Sequence, residues 1–416
     1  MDKKLNWLYT YAGLPNNLYI LGFSKLVTSL LSFIIPFLSL FLTVKLGIKE
    51  NLAGVLVTLV TLTYIPGSIM GGIFSDKFSK KNVLVVSQFI SALFLISVPF
   101  TNSVVLEMIL ISLANFMASA SYPAINSLIA ETVSQKQIKT AYSFVYLCQN
   151  FGVAVGSFLA SRLFYKHMNA LFIIDALTTI ASVLMIFIFI HEMRTSKSYS
   201  IENKKSLTTI QIFLKNTNLI IFTIICMMYY FCYAQYSFSL PLHLKHYFLE
   251  NGVTYYGIIM TCNAICVITL TPIITHITKP YNSILNMVVA GIAFGFGFGL
   301  YFFSNKFIML VISTIIWTIG EILMATNFNT YITEKTPREY LGRITSLVSV
   351  ISNIGLYSNP LIMGFIINSF GTLIVWPSMF FLMIISSGIM LYIYLIERRL
   401  KLIHDSTAET PSKMLL

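Results

Sequence analysis

Twelve transmembrane helices, arranged as two six-helix bundles that repeat one another in parallel, are the all-α fold this chain predicts. Three observations lead there: long apolar runs almost free of charge, basic residues gathered in alternate connections, and a second half that repeats the first. Of the 416 residues 56% are hydrophobic and only 10% charged, and the mean hydropathy is +0.80. A soluble domain carries roughly 25% charged residues, so the solvent this chain is built for is a lipid bilayer.

A spanning helix needs about 20 apolar residues. Twelve runs meet that length, at 18–43, 53–75, 82–100, 104–130, 140–165, 168–190, 217–241, 254–276, 282–304, 306–332, 344–367 and 372–396. An outer-membrane barrel would show short alternating segments instead, and these runs are too long for that. The first run is also too long for the apolar core of a cleavable signal, and more spans follow it, so it reads as a helix that is kept.

Charge sets the orientation. With both termini in the cytoplasm, most of the 27 Lys and Arg residues fall on the inner side, among them Lys77, Lys80, Lys81, Lys136, Arg194, Lys204, Lys335, Arg338, Arg343, Arg398 and Arg399. Lys45, Lys49, Arg162, Lys166, Lys245 and Lys306 fall outside. The positive-inside rule selects this topology, and the expected location is the plasma (inner) membrane. The net charge of +12 follows from the same bias, and no segment outside the membrane is long enough to form a nucleic-acid-binding face. The five cysteines (Cys148, Cys226, Cys232, Cys262, Cys266) all lie inside spans and read as packing residues.

The chain is written twice. A shift of about 203 residues lays Asn126 on Asn329, Glu131 on Glu334, Ser143 on Ser346, Asn150 on Asn353 and Gly152 on Gly355. Ser32 and Pro36 meet Ser237 and Pro241 at nearly the same shift. Six spans separate each pair, so the copies share one orientation. The predicted domains are therefore 1–191 and 217–399, joined by a polar cytoplasmic connector at 192–216 with a short surface helix near Leu207–Leu214, and followed by a tail at 400–416.

Between the second and third runs stands Gly72-Ile73-Phe74-Ser75-Asp76-Lys77-Phe78-Ser79-Lys80-Lys81. It resembles the signature loop of the major facilitator superfamily, G-x-x-x-D-R-x-G-R-K, with Lys77 in place of Arg and Ser79 in place of the second Gly. The resemblance covers essentially residues 15–398. It implies a transporter whose substrate site lies near the midplane between the parallel repeats, and a cytoplasmic gate formed by Gly72, Asp76, Lys77, Lys80 and Lys81 with Glu131. Gly152-x-x-x-Gly156-Ser157 resembles the exporters' motif G-x-x-x-G-P-x-x-G-G, with Ser157 for Pro; close helix packing alone explains small residues at that spacing. The Arg that many exporters carry in the fourth span is absent here.

Ionisable groups inside a membrane are costly and are functional candidates by default. Lys25, Glu107, Asp175 and Glu321 lie within spans. Glu321 ranks first as the proton-coupling group, since the family often places a Gly-Glu pair there, here Gly320-Glu321. Asp175 is the second candidate; its alternative is a capping or packing polar residue. Lys25 is the third, either snorkelling to the cytoplasmic end or acting as a cation that pairs with Glu321 or an anionic substrate. Glu107 reads as solvated at the outer boundary. Tyr229, Tyr233, Gln235 and Tyr236 make the seventh span rich in rings and hydrogen-bonding groups, and 3-and-4 spacing puts Tyr229, Tyr233 and Tyr236 on one face; the alternative is a packing stripe or interfacial belt. Gln149, Asn263 and Asn327 are further cavity candidates.

Enzyme readings find little footing. The chain has no G-x-x-x-x-G-K-[ST] phosphate loop, and His243 and His246 lack a nearby carboxylate that would make a metal site. The expectation is a monomer without cofactor or metal, whose partners are protons, a small molecule and the bilayer. Its expected function is proton-coupled export of small amphipathic or drug-like compounds by alternating access. The alternatives are proton-coupled uptake of a small metabolite or peptide and, from another class, a non-transporting receptor or lipid-flipping protein on the same fold.

Overall fold

The structure, a computed structural model, describes residues 11–30, 34–134, 137–190, 209–337 and 340–408. Among them are helices and no strand, and 12 of the helical stretches are long and apolar enough to cross a membrane. Residues such as Phe187, Ile188, Phe381 and Ile385 are about 60% exposed, as lipid-facing side chains would be. Most of the expected connector, including Arg194, Lys197, Lys204 and Lys205, lies outside the described residues. The short helix expected near its end is Thr209–Lys215.

Several spans are interrupted where the sequence suggested continuity. The second runs as Glu50–Leu62 and resumes as Tyr64–Lys77. Between them the Thr63 hydroxyl donates to the Val60 carbonyl (2.6 Å) and to that of Ser112 (3.2 Å), and Pro66 has no N–H to continue the ladder. The seventh is α-helical over Thr217–Tyr233, tightens into a 3-10 turn at Ala234–Tyr236 and resumes at Ser239–Phe248. Pro241 sits in the first turn of that resumed helix, where a missing N–H costs nothing. The stretch 72–81, expected as a loop, is mostly helix. The second span continues to Lys77 and the third starts at Lys80, leaving only Phe78 and Ser79 between them.

The chain forms two compact units. The first comprises Met1–Glu202, Tyr236–Ile268 and Pro360–Thr372; the second comprises Asn203–Gln235, Thr269–Asn359 and Leu373–Leu416. The units thus depart from the linear halves 1–191 and 217–399, and small residues account for the extra pieces of the first. A Cβ on Gly54 would collide with the Pro360 carbonyl, and one on Gly257 with Ser161 and the Ser157 carbonyl. Only glycine allows such backbone approach. Hydrogen bonds from the Tyr256 hydroxyl to the Pro36 carbonyl (3.0 Å) and from Thr261 to the Ala154 carbonyl (2.8 Å) hold the same pieces in place.

The first unit packs an aliphatic core around Leu18, Leu21, Leu84, Ala124 and Ala141. In the second unit aromatic rings take a large share. Trp317 stacks on Phe298 at 5.3 Å, Tyr301 lies 5.0 Å from Trp376, and all four are fully buried.

The internal repeat is visible in the helix boundaries. Lys80–Ser97 followed by the 3-10 turn Val98–Phe100 is matched by Ser283–Gly299 followed by Leu300–Phe303. Val104–Thr132 and Phe307–Lys335 each have 29 residues. Bonding repeats as well. Lys80, first in its helix, pairs with Glu131, and Ser283, at the matching position, donates to Glu334 Oε2 over 2.6 Å.

Candidate functional site

The site begins with two glycines of the tenth and ninth spans. A Cβ on Gly320 would come within 2.8 Å of the Ala290 carbonyl oxygen, and one on Gly297 would meet the Trp317 backbone. The two helices therefore lie close, and Glu321 follows Gly320 directly. Below it the tenth span carries a polar ladder inside an aromatic wall. Trp317 Nε1 donates to the Tyr301 hydroxyl (3.1 Å), which lies 2.8 Å from Thr314 Oγ1.

Tyr233 closes the α-helical part of the seventh span. Its ring is flanked by Phe294 at 6.1 Å and Trp317 at 6.2 Å, and its hydroxyl donates to Glu321 Oε1 over 2.9 Å. Both residues are half-buried. An ionised carboxylate is an acceptor only, whereas the neutral acid brings an O–H of its own. The geometry therefore joins a titratable group to the point where the seventh span changes its winding.

The other aromatic candidates divide. Tyr229 is fully buried; its hydroxyl donates to the Met287 carbonyl (3.0 Å) and lies 3.4 Å from Ser387 Oγ, filling the space above Gly291. Gln235 is fully buried too and donates to Met379 Sδ (3.2 Å). Tyr236 is half-buried beyond the 3-10 turn, so the single continuous face expected for Tyr229, Tyr233 and Tyr236 is broken by the change of pitch. Asn327 accepts from Asn286 (3.0 Å) and donates to the Leu323 carbonyl (2.8 Å) inside the second unit. Asn263 is buried and Gln149 half-buried, both in the first unit.

In the first unit the Lys25 ammonium lies over the Tyr122 ring, 4.8 Å from the centroid, a cation–π contact. Asp175 is 5% exposed and faces a cavity of about 120 Å³ lined also by Gln88, Ser91, Asn115 and Thr28. Glu107, expected to be solvated, has one carboxylate oxygen buried without a partner among the described residues.

The gate candidates separate in the same way. Asp76 and Lys77 are exposed, Lys80 pairs with Glu131, and Lys81 donates to the Phe187 carbonyl (2.9 Å). Gly72 has open space where a Cβ would be, whereas Gly71 and Gly67 are pressed against Ala120 and Phe116 of the fourth span. The glycines that set this helix crossing are thus the ones before the motif.

One cluster was missed by the sequence reading. Glu397 accepts from Tyr331 (2.7 Å) and Asn218 (3.2 Å) and pairs with Lys335 (2.8 Å). Its neighbours Arg398 and Arg399 mark a basic flank at the end of the apolar run and hide the acid. A metal-binding group of His, Cys, Asp or Glu does not occur among the described residues. His243 is buried with Nδ1 3.2 Å from Thr372 Oγ1.

Comparison with known proteins places these features in context. The family model described as Major Facilitator Superfamily matches residues 21–357 and 251–414. An uncharacterized MFS-type transporter of Bacillus subtilis, YqjV, is 23% identical over 353 residues, covering 84% of this chain and 85% of that one. A Na(+), Li(+), K(+)/H(+) antiporter of Planococcus maritimus is 23% identical over 359 residues, covering 79% and 84%. Among solved structures, the nucleoside transporter NupG superposes with a TM-score of 0.74 at 17% identity, over 91% of this chain and 99% of that one. A POT family transporter in complex with 5-aminolevulinic acid gives 0.78 at 13%, over 92% and 96%. At such identities the two structures show the fold alone.

Proposed function

The chain belongs to the Major Facilitator Superfamily, and from that premise we propose that this membrane transporter couples proton movement to the export of small amphipathic or drug-like compounds by alternating access. The observation that carries the reading is the 2.9 Å bond from Tyr233 to Glu321. When Glu321 is ionised it accepts a hydrogen bond from the Tyr233 phenol. When it takes up a proton it gains a donor of its own and the charge-assisted part of that bond is lost. Tyr233 ends the α-helical part of its span, so each protonation change bears on the joint with the 3-10 turn.

The likeness to an antiporter of Planococcus maritimus supports exchange against protons. Tyr233 and Glu321, both half-buried and hydrogen-bonded, set a ring beside a carboxyl, a pairing that suits a substrate with apolar surface and a polar end. The protein acts as a monomer in the plasma membrane with both termini cytoplasmic.

The test is transport in proteoliposomes with an imposed pH gradient, run beside counterflow without one. Glu321→Gln is expected to abolish gradient-driven transport and to leave counterflow in place. A variant that still concentrates substrate would overturn the coupling role. The sign of substrate movement relative to the proton gradient separates export from the uptake alternative, and absence of any flux in the wild-type protein would favour the receptor reading.

A further inference from the structure

The two repeats differ at one set of matched interior positions. In the second unit the interior between the ninth and tenth spans is filled by Phe294, Phe298 and Trp317, all fully buried. The shift that lays Glu131 on Glu334 lays these rings on Ser91, Leu95 and Ala114. The first unit therefore keeps a cavity of about 120 Å³ where its counterpart packs rings. The same shift lays Gly291 on Gln88, so an amide enters the first unit where the second has no side chain.

Half of the twelve lining residues are Ile, Leu or Ala; among the polar half, most of the donors are committed elsewhere. Thr28 Oγ1 gives its proton to the Ser24 carbonyl or to Ser182 Oγ (each 2.9 Å), and Ser91 Oγ gives its own to the Ala114 carbonyl (2.8 Å). Asn115 Nδ2 donates to the Val60 carbonyl and Thr63 Oγ1 (each 3.0 Å), and Gln88 Nε2 to Ser121 Oγ (3.3 Å). Oxygen lone pairs remain for the interior. Gln88 is 8% exposed, and its Oε1 is buried with no hydrogen-bond partner among the described residues. Asp175, at 5% exposure, brings the carboxylate. Among the described residues no Lys, Arg or His forms an ion pair with it.

We propose that this cavity is a binding site for a monovalent alkali cation, with Asp175 as the charged ligand and Gln88 Oε1 as a neutral one. Hard cations take oxygen ligands from carboxylates, amide carbonyls, hydroxyls and water. The lining supplies the first three kinds, and the volume leaves room for water. A single proton on Asp175 would engage one acceptor and leave the rest of the set unused. A cation satisfies the carboxylate and the unpartnered amide oxygen together, removing the cost of burying both. The site lies wholly within the first unit and is separate from Glu321, which belongs to the second.

The test uses the purified full-length protein and Na⁺ as the probe. Thermal unfolding in NaCl is compared with choline chloride at equal ionic strength, and binding is measured with radioactive Na⁺ by equilibrium dialysis. The wild-type protein is expected to gain thermal stability in Na⁺ and to bind the isotope. Asp175→Asn is expected to lose both responses, and Gln88→Leu to weaken binding by roughly tenfold. Ser91→Phe, which copies the ring of the other repeat, is expected to lose the isotope while Asp175 stays in place, so the proposal remains falsifiable if Asp175→Asn fails to fold. Glu321→Gln is expected to keep the Na⁺ response even where it loses proton-driven transport. A wild-type protein indifferent to Na⁺, or an unchanged response in Asp175→Asn, would overturn the site. So would an Asp175-dependent response that follows pH alone and is identical in both salts, which would make it a proton site.

Discussion

Tyr233 and Glu321 lie 88 positions apart, and the phenol donates to the carboxylate across 2.9 Å. The first prediction follows from this bond. Tyr233→Phe keeps the ring against Phe294 and Trp317 and removes only the hydroxyl. A hydrogen bond to a charged group contributes about 1.5–3 kcal/mol, so gradient-driven transport should fall by roughly tenfold or more. Counterflow should change less. Equal loss in both assays would show that the ring, and not the proton, matters at this position.

The crossing at Gly54 and Gly364 gives a second expectation. A Cβ on Gly54 would collide with the Pro360 carbonyl, and one on Gly364 would sit 2.6 Å from the Glu50 carbonyl oxygen. Gly54→Leu or Gly364→Leu should strongly reduce transport while the protein still inserts and elutes as a single species. Normal transport in both variants would show that this approach is not needed during turnover.

At the end that carries Phe78 and Ser79, Asp76→Asn is expected to slow transport and leave substrate binding nearly intact. Glu131→Gln tests the neighbouring pair with Lys80. An exposed ion pair contributes about 0–1 kcal/mol, so its loss should register in transport rate before it registers in unfolding temperature. If Asp76→Asn transports at the wild-type rate, the basic cluster serves orientation alone.

Glu397 organises Lys335, Tyr331 and Asn218 within the second unit. Glu397→Leu would take the partner from the Lys335 ammonium, which is partly exposed, and the acceptor from Tyr331, a combined cost of about 1–2 kcal/mol. A fall of a few degrees in the unfolding temperature is expected. No shift in a calorimetric or dye-based melt would place Lys335 in water rather than in the bundle.

Much of this architecture could be read from the sequence because the bilayer imposes it. Twelve apolar runs became twelve spans, and the offset that aligns Glu131 with Glu334 also aligns the boundaries of the third and fourth spans with those of the ninth and tenth. Local winding was harder to see. Thr63 and Tyr233 mark breaks whose cause is a hydroxyl bonded to another helix or a change of pitch, and neither leaves a hydropathy signal. Glu321 was legible as a rare acid after a glycine, but its partner among several tyrosines was not, since burial decides which phenol reaches it. Tyr229 has the same chemistry as Tyr233 and spends its hydroxyl on Met287. The Asp175 cavity was hidden because it arises from small residues on four spans, and emptiness appears only once their neighbours are in place.

That cavity has a mechanical consequence. Voids lower the volume of a protein when they are eliminated, so pressure favours states in which they are filled or collapsed. With aliphatic and small side chains around Asp175 and stacked rings at the matching place near Trp317, the two units respond unequally to compression. Hydrostatic pressure should act on the first unit before the second, and Ser91→Phe should bring their compressibilities closer together.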